Sequence, residues 1–594
     1  MIFSKYTNKY YVRFAWLLLL GTLSVILIDV VQLQIPRLLG DVVNGINTGS
    51  VETNGVAVAF DMDFLLHRIC LPVILVMLIM LVGRFLWRLC FSSVAVGVER
   101  DLRSRMFDRC RHLSQDYYSK SKIGNLMSLF TNDIDTIQDC FGWGILMLCD
   151  VVVLGGIALY KMARMSLWLT LLSLIPMALM AITAVILDKF MEKRWDERQA
   201  AFSRLSDFSQ EMFTGIAVVK AFVKEAHELR EFRKLNGKNE KANVDFTRLD
   251  MMFEVALTLF IEAVICIVLG YGGYLVYRGV FNVGQLVEYL GYFDAVIWPC
   301  IAISELIGMT ARGHASAKRI GELVTAETTV KDKPDATDFD TVRGDISFRH
   351  LTFTYPGAEV PALVDVSFDI KAGENVGITG RTGAGKTTLV DLLLRVWNVP
   401  EGTLFVDGRD VTGMTIRSLR DNAAYVPQDN FLFSDTIDHN ISFASDEKDR
   451  ERVENAARMA GIHEDVAGFH AGYDTVLGER GVTVSGGQKQ RISIARALMK
   501  DAPVLVLDDS VSAVDTDTER HILGELRRER HGKTTILIAH RISTVAGMDK
   551  IVYLDEGKVL DVGTHEQLYA RCESYRRAVD LQKLEEEREV PAHV

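Results

Sequence analysis

The sequence predicts an α-helical transmembrane domain, with six spans extended into the cytoplasm, fused to an α/β P-loop domain. Three observations predict it. Long apolar runs recur from Phe14 to Ala311, and about 20 helical residues suffice to cross a hydrocarbon core of ~30 Å. Lys and Arg gather in alternate connections between those runs. A glycine-rich loop, Gly380–Thr387, follows an apolar strand in a second half that reads as an ordinary soluble domain.

The spans fall at roughly 14–39, 65–97, 139–162, 166–188, 250–277 and 285–310, the third and fourth parted only by KMARMS. The 99–138 connection carries Arg100, Arg103, Arg105, Arg109, Arg111, Lys120 and Lys122, and 189–249 carries more, whereas 40–64 has no Lys or Arg. Positive residues stay on the cytoplasmic side, so both termini and both long connections are expected there. Those connections keep a helical pattern, as in DERQAAFSRLSDFSQEMF, so the spans are expected to continue beyond the bilayer. The turns at their ends are expected at 121–133 and 213–225, each placed to dock on another domain. Residues 1–13 read as an interfacial helix with Tyr6, Tyr10 and Tyr11 at headgroup level, and no cleavable signal pattern follows them.

Composition excludes some functions. A net charge of −11 without a basic face argues against nucleic acid. The eight cysteines form no CxxC pair, and several sit in apolar runs as small core residues. Charge inside a span is costly and usually functional. Asp29, Asp150, Glu262 and Asp294 lie deep, against Arg84 and Arg88 of the second span. The excess of acids favours a wet cavity receptive to cations, and Pro299 can kink the last span beside Asp294.

In the second half, ISFRHLTFTY alternates as a strand before ENVGITGRTGAGKTTLV. Gly380, Arg381, Thr382, Gly383, Ala384, Gly385, Lys386 and Thr387 fit GxxxxGK[ST]. Backbone N–H groups there wrap phosphates, Lys386 reaches the β- and γ-phosphates, and Thr387 offers a hydroxyl to Mg2+. About a hundred residues later, Ser485, Gly486, Gly487 and Gln488 open an Arg-rich helix, a second anion cradle. Two such elements either serve one nucleotide within a chain or face opposite ways and join two chains head to tail.

Taken in order, these motifs resemble the ABC exporter family of type IV fold along the whole chain. The resemblance implies that Tyr355 stacks on adenine and that Gly380–Thr388 is the Walker A loop, with Thr388 at its end. Gln428 of YVPQDNFLF matches the Q-loop, and GERG (478–481) a stretch peculiar to exporters. VSGGQ (484–488) is the signature, with Val484 where Leu is common. Asp508 closes Walker B, SAVD (512–515) is the D-loop and His540 the switch histidine. Implied with them are ATP and Mg2+ held by Thr387, Gln428 and Asp508, a site in the plasma (inner) membrane of a bacterium, and an ATP-binding cassette at 341–580. The transmembrane domain occupies 14–322, a linker 323–340 and a charged, fraying tail 581–594.

One residue departs from the family. Asp509 stands where Glu normally polarises the attacking water, and the loss of a methylene withdraws the carboxylate by roughly 1 Å. The resemblance then implies a degenerate site that binds ATP and hydrolyses it poorly, in a heterodimer whose partner half-transporter carries Glu. His540 is retained, which some degenerate sites lose. The expected substrate is a small amphiphile, drug-like and cationic, taken from the cytoplasm or membrane lipid. A homodimeric lipid or lipid-linked flippase and an ATP-gated channel or regulator are the alternatives.

Overall fold

The computed structural model describes residues 5–53, 56–339, 341–445, 449–478, 481, 483–512 and 514–589. Glu479 and Arg480 of GERG, Ala513 of SAVD, Met1–Ser4 and the final five residues lie outside the described residues. The chain divides into two units, one of residues 1–111 with 123–326 and one of 112–122 with 327–594.

The first unit is helical. Among the described residues, five helices are long and apolar enough to span a membrane: Ala15–Thr48, Met62–His112, Ile123–Met165, Glu225–Tyr277 and Val283–Thr325. A sixth, Leu167–Thr214, is apolar over Leu167–Met180. At 48 residues it runs about 72 Å, far beyond the bilayer, as the helical connections led one to expect. The tight turn after the third span narrows to Ser166, whose extended backbone ends one helix while its side chain caps the next at Leu169 N.

Most large apolar side chains here face outward, including Leu19, Leu78, Phe85 and Ile175. Lipid replaces the core as their solvent. Inside, Tyr289, Tyr292, Phe293 and Val296 of the last helix pack on Ala158, Met162 and Val264. Buried polar groups are paired locally: the Tyr289 hydroxyl donates to Thr170 Oγ1 at 3.2 Å, and Lys161 Nζ to the Leu33 carbonyl at 3.0 Å.

Three sequence expectations need correction. Residues 121–133 are not a docking turn: Ile123–Ser128 and Leu129–Asp133 already belong to the third long helix. Leu126, Ile134 and Ile137 are buried at helical spacing there, which commits the segment to that helix. The short helix is Gln115–Lys120, within a segment that groups with the second unit. In 213–225 the short helix Ile216–Ala221 does appear.

The N-terminal tyrosines do not sit free at headgroup level. Tyr10 is fully buried, its hydroxyl donating to Asp101 Oδ2 at 2.5 Å and its ring edge-on to Phe141. The Tyr11 ring lies 4.8 Å from Phe141. Tyr6 packs so closely on Gly321 that a Cβ there would overlap its ring.

The second unit is an α/β domain. Its main sheet runs Lys558–Gly563, Lys550–Asp555, Asn375–Gly380, Thr534–Ile538, Val504–Asp508, Ala423–Val426. All pairs are parallel except the first, and Ile538 stands opposite both Ile378 and Asp508. A second, antiparallel sheet packs Leu363–Ile370, Ile346–Phe353, Leu404–Val406 and Arg409–Asp410. Over the described residues the tail is helical beyond residue 581: Glu573–Glu589 is one helix, with Tyr575 and Val579 buried in its first part.

Helices Ile35–Thr48 and Val283–Thr325 touch through glycines. A Cβ on Gly40 would stand 2.6 Å from the Gly284 carbonyl, and one on Gly284 would overlap that of Gly40. Gly284→Ala should therefore destabilise the transmembrane unit by about 1–3 kcal/mol. Gly273→Ala, where nothing lies within 4 Å of the added atom, should leave the unit unchanged. Melting temperatures of the two variants in detergent check the contrast.

Candidate functional site

Four strand ends build the site. Gly380 leaves the Asn375–Gly380 strand, Asp508 ends Val504–Asp508, His540 lies two residues past Thr534–Ile538, and Gln428 two past Ala423–Val426. All are carboxyl ends of parallel neighbours, the edge at which open α/β sheets bind ligands.

The glycine loop needs its glycines. Gly380 has φ +152°, and a Cβ there would overlap the Leu554 carbonyl. Gly385 has φ +90°, and its Cβ would stand 2.8 Å from the Ala362 carbonyl. That conformation delivers the chain into the Lys386–Leu393 helix with its N–H groups facing the loop. Lys386 is 6% exposed, and its Nζ donates to the carbonyls of Gly380 and Arg381 at 2.9 and 2.8 Å. Burial pushes its pKa down, and Asp508 and Asp509 oppose that. Arg381, Thr382 and Gly383 are exposed at the loop tip, and Ala384 is buried beneath it.

Asp508 is 1% exposed. Burial pushes its pKa up, and a hydrogen bond from Thr387 pulls it back. Its Oδ2 has no hydrogen-bond partner. A buried orphan oxygen beside a threonine hydroxyl fits Mg2+, which takes one or two carboxylates and leaves its remaining positions to phosphates and water. Among the described residues no cluster of three or more His, Cys, Asp or Glu would hold a metal unaided.

Asp509 is half-buried, with φ +47°. Its N–H donates to the Ile538 carbonyl at 3.0 Å, and its carbonyl accepts from Ser512 Oγ at 2.9 Å. The main chain is thus pinned on both sides of the acid. Burial, then the charge of Lys386, lowers the pKa of His540, which keeps the ring neutral near pH 7.

The Tyr355 hydroxyl shares a 2.9 Å hydrogen bond with Thr388 Oγ1, and its ring meets Trp397 edge-on at 5.2 Å. Trp397 in turn hydrogen-bonds Asp391. Asp391 and Trp397 belong to no motif, and nothing in the sequence marked them. Ser485 caps the Gly486–Met499 helix in a capping box with Gln488. Asp465 pins this helix start, accepting from Gln488 Nε2 at 3.0 Å and Arg491 Nη1 at 2.8 Å. No hydrogen bond among the described residues joins Ser485, Gly486, Gly487 or Gln488 to the glycine loop.

Gln582 was also missed, because its segment reads as a charged tail. Its Nε2 donates to the His540 carbonyl at 2.8 Å, and its Oε1 accepts from Ile542 N–H at 2.7 Å. One amide therefore clamps the backbone that carries the histidine.

In the membrane unit, Asp29, Asp150 and Asp294 line a cavity of about 720 Å3 with Arg84, Arg88 and Trp298. Glu262 does not join them. It is exposed on its helix, whose other face packs Ile261, Val264 and Ile265 into the core.

The family described as ABC transporter transmembrane region matches residues 18–300, and that described as ABC transporter matches 363–512. The probable multidrug resistance ABC transporter ATP-binding/permease protein YheI of Bacillus subtilis (strain 168) is 35% identical over 567 residues, 95% of each chain. The multidrug resistance-like ATP-binding protein MdlA of Escherichia coli (strain K12) is 34% identical over 579 residues, 97% of this chain and 96% of its own. The solved structure of a bacterial Atm1-family ABC exporter with ATP bound superposes with a TM-score of 0.77 at 26% identity. That match covers 97% of this chain and 99% of the other.

Two outcomes follow from the site. Burial and the charge of Asp508 raise Asp391 to about 6, so the folded state binds its proton more tightly than the unfolded state does. Its contribution to stability is greatest at low pH, falls as pH rises from about 4 to 6, and stays lost above that. Asp391→Asn should remove this slope, read as the wild-type minus variant melting temperature across that range. Gln582→Ala should lower ATP turnover by about tenfold, since misplacing a catalytic group by a fraction of an ångström is costly. ATP affinity, measured by equilibrium binding, should hold.

Proposed function

From the premise that this chain belongs to the ABC transporter family, and so is a multi-pass inner-membrane protein that hydrolyses ATP to drive export, we propose that it is one half of a heterodimeric exporter of amphiphilic, cationic, drug-like compounds. One transmembrane domain and one cassette make a half-transporter, of the kind that works as a dimer.

Asp509 carries the reading. Its N–H is held by the neighbouring strand at Ile538 and its carbonyl by Ser512 of the following turn, so the main chain cannot advance to compensate for a short side chain. A carboxylate withdrawn by roughly 1 Å costs on the order of a hundredfold in rate. The left-handed backbone, φ +47°, suits Asp better than most residues, which lets the short acid settle there at little strain. The chain's own Walker A site then holds ATP and hydrolyses it poorly. Its signature, Ser485–Gln488, completes the site of a partner that bears Glu after Walker B.

Mg2+ held by Thr387, Asp508 and Gln428 would neutralise phosphate charge when bound. Lys386 and the loop N–H groups bind and orient the triphosphate, Tyr355 supports the adenine, and neutral His540 faces the γ-phosphate end. ATP must bind the closed dimer better than the open one to shift the spans from inward- to outward-facing. The multidrug names of the Bacillus and Escherichia relatives, and the acids around the membrane cavity, support a substrate that is amphiphilic and cationic. Both termini are taken as cytoplasmic, with Ile216–Ala221 as a docking helix.

The chain purified alone should turn ATP over at a few per cent of the rate of the chain with its partner, on the order of the hundredfold cost above. Asp509→Glu should raise basal turnover of the pair severalfold. Lys386→Ala should weaken transport yet leave hydrolysis at the partner's site. Vigorous turnover by the lone chain would favour the homodimeric flippase instead.

A further inference from the structure

The membrane cavity is walled by charges of both signs. Asp29, Asp150 and Asp294 enter from three helices, Arg84 and Arg88 from a fourth. The two arginines are four residues apart and therefore neighbours on one helical face. Among the described residues neither forms an ion pair. Across the cavity Asp29 is 4% exposed, and its Oδ2 has no hydrogen-bond partner. Asp150 Oδ2 accepts from Trp298 Nε1 at 2.9 Å, which sets an indole beside the acids.

An unpaired, buried carboxylate oxygen is costly, whereas Arg84 and Arg88 are exposed at the cavity, Arg88 lying over the Trp87 ring at 5.7 Å, with their charge available to a ligand. A pocket shaped for a simple cation gains nothing from two free arginines, which repel it. A pocket for an anion gains nothing from three carboxylates. A ligand carrying both charges satisfies both walls. We propose that this cavity binds zwitterionic amphiphiles, with a protonated amine at Asp29, Asp150 and the face of Trp298 and a carboxylate or phosphate across Arg84 and Arg88. About 720 Å3 suits a drug-sized molecule or a lipid headgroup. The inference rests on the exporter reading above and narrows its substrate class from cationic to zwitterionic.

Rhodamine B and its ethyl ester share one xanthene cation and differ only in a free carboxylate. Fluorescence anisotropy on the chain with its partner in nanodiscs should show the free acid binding about tenfold tighter than the ester. Arg84→Gln with Arg88→Gln should reduce the acid to the affinity of the ester, and the double Lys variant should keep part of the preference. Asp29→Asn should weaken both dyes. ATP-driven flipping of fluorescent phosphatidylethanolamine, but not phosphatidylglycerol, in proteoliposomes would identify a phospholipid as the zwitterion. Export of the free-acid dye without such flipping would identify a soluble one. Equal affinity for acid and ester, or a preference that survives loss of both arginines, overturns the inference, and export of the ester then leaves the exporter reading standing. If neither dye nor lipid is moved, the drug-exporter reading falls, while the affinity of the acid relative to the ester still decides the inference.

Discussion

The register of one strand governs the nucleotide site. Thr534–Ile538 lies between the strand that feeds the glycine loop and the strand that ends in Asp508, pairing in parallel with both. Because Ile538 stands opposite Ile378 and Asp508, the loop, the acid and the histidine beyond Ala539 emerge at one level. The register runs one residue past the strands, where Asp509 N–H donates to the Ile538 carbonyl. The position of that acid is therefore set by sheet pairing, and its reach by side-chain length alone.

The membrane unit obeys a different solvent. Its long helices leave Leu, Ile and Phe on their outer faces because lipid accepts them, so apolar burial does little to choose the fold. Close backbone approach and local pairing of polar groups do more. Gly40 against Gly284, Asn44 Oδ1 accepting from the Gly284 N–H at 2.7 Å, and Lys161 on the Leu33 carbonyl are examples. Asp29 breaks that rule of local pairing, and it does so at a cavity wall. No local partner among the described residues offsets it, and the zwitterion proposal rests on that.

How much of this was legible in the sequence varied with the range of the interaction. Spans and basic connections depend on apolar length and Lys/Arg placement, which are local, and the helices fall where those quantities put them. The placement of Gly380, Asp508 and His540 at neighbouring strand ends was legible because each apolar strand is followed by a characteristic residue. The short helix falls at Gln115–Lys120, ahead of 121–133, because the helical periodicity from Ile123 onward belongs to the third long helix. The tyrosines near the start were assigned to the headgroups because Asp101 and Phe141, which hold Tyr10, are far away in sequence. Gln582 and the Asp391–Trp397 pair act across 40 and 6 positions without any motif. Glu262 differed from the other deep acids only in the helix face it occupies, which residue type does not reveal.

On the proposed reading, one methylene carries so much at position 509 because little else there is adjustable. A flexible loop would let Asp advance and recover the reach of Glu, but here both flanking backbone groups are engaged. The same rigidity leaves the binding parts intact: Lys386 stays buried on its loop, Asp508 keeps its orphan oxygen, and the Ser485–Gln488 cap is closed. If the short acid slows hydrolysis, binding is spared, since the two rest on different atoms of one strand end. On the heterodimer reading, a site that keeps the first and loses most of the second still contributes ATP binding energy to closure. The reset by hydrolysis is then left to the partner's site, which this chain completes with its signature.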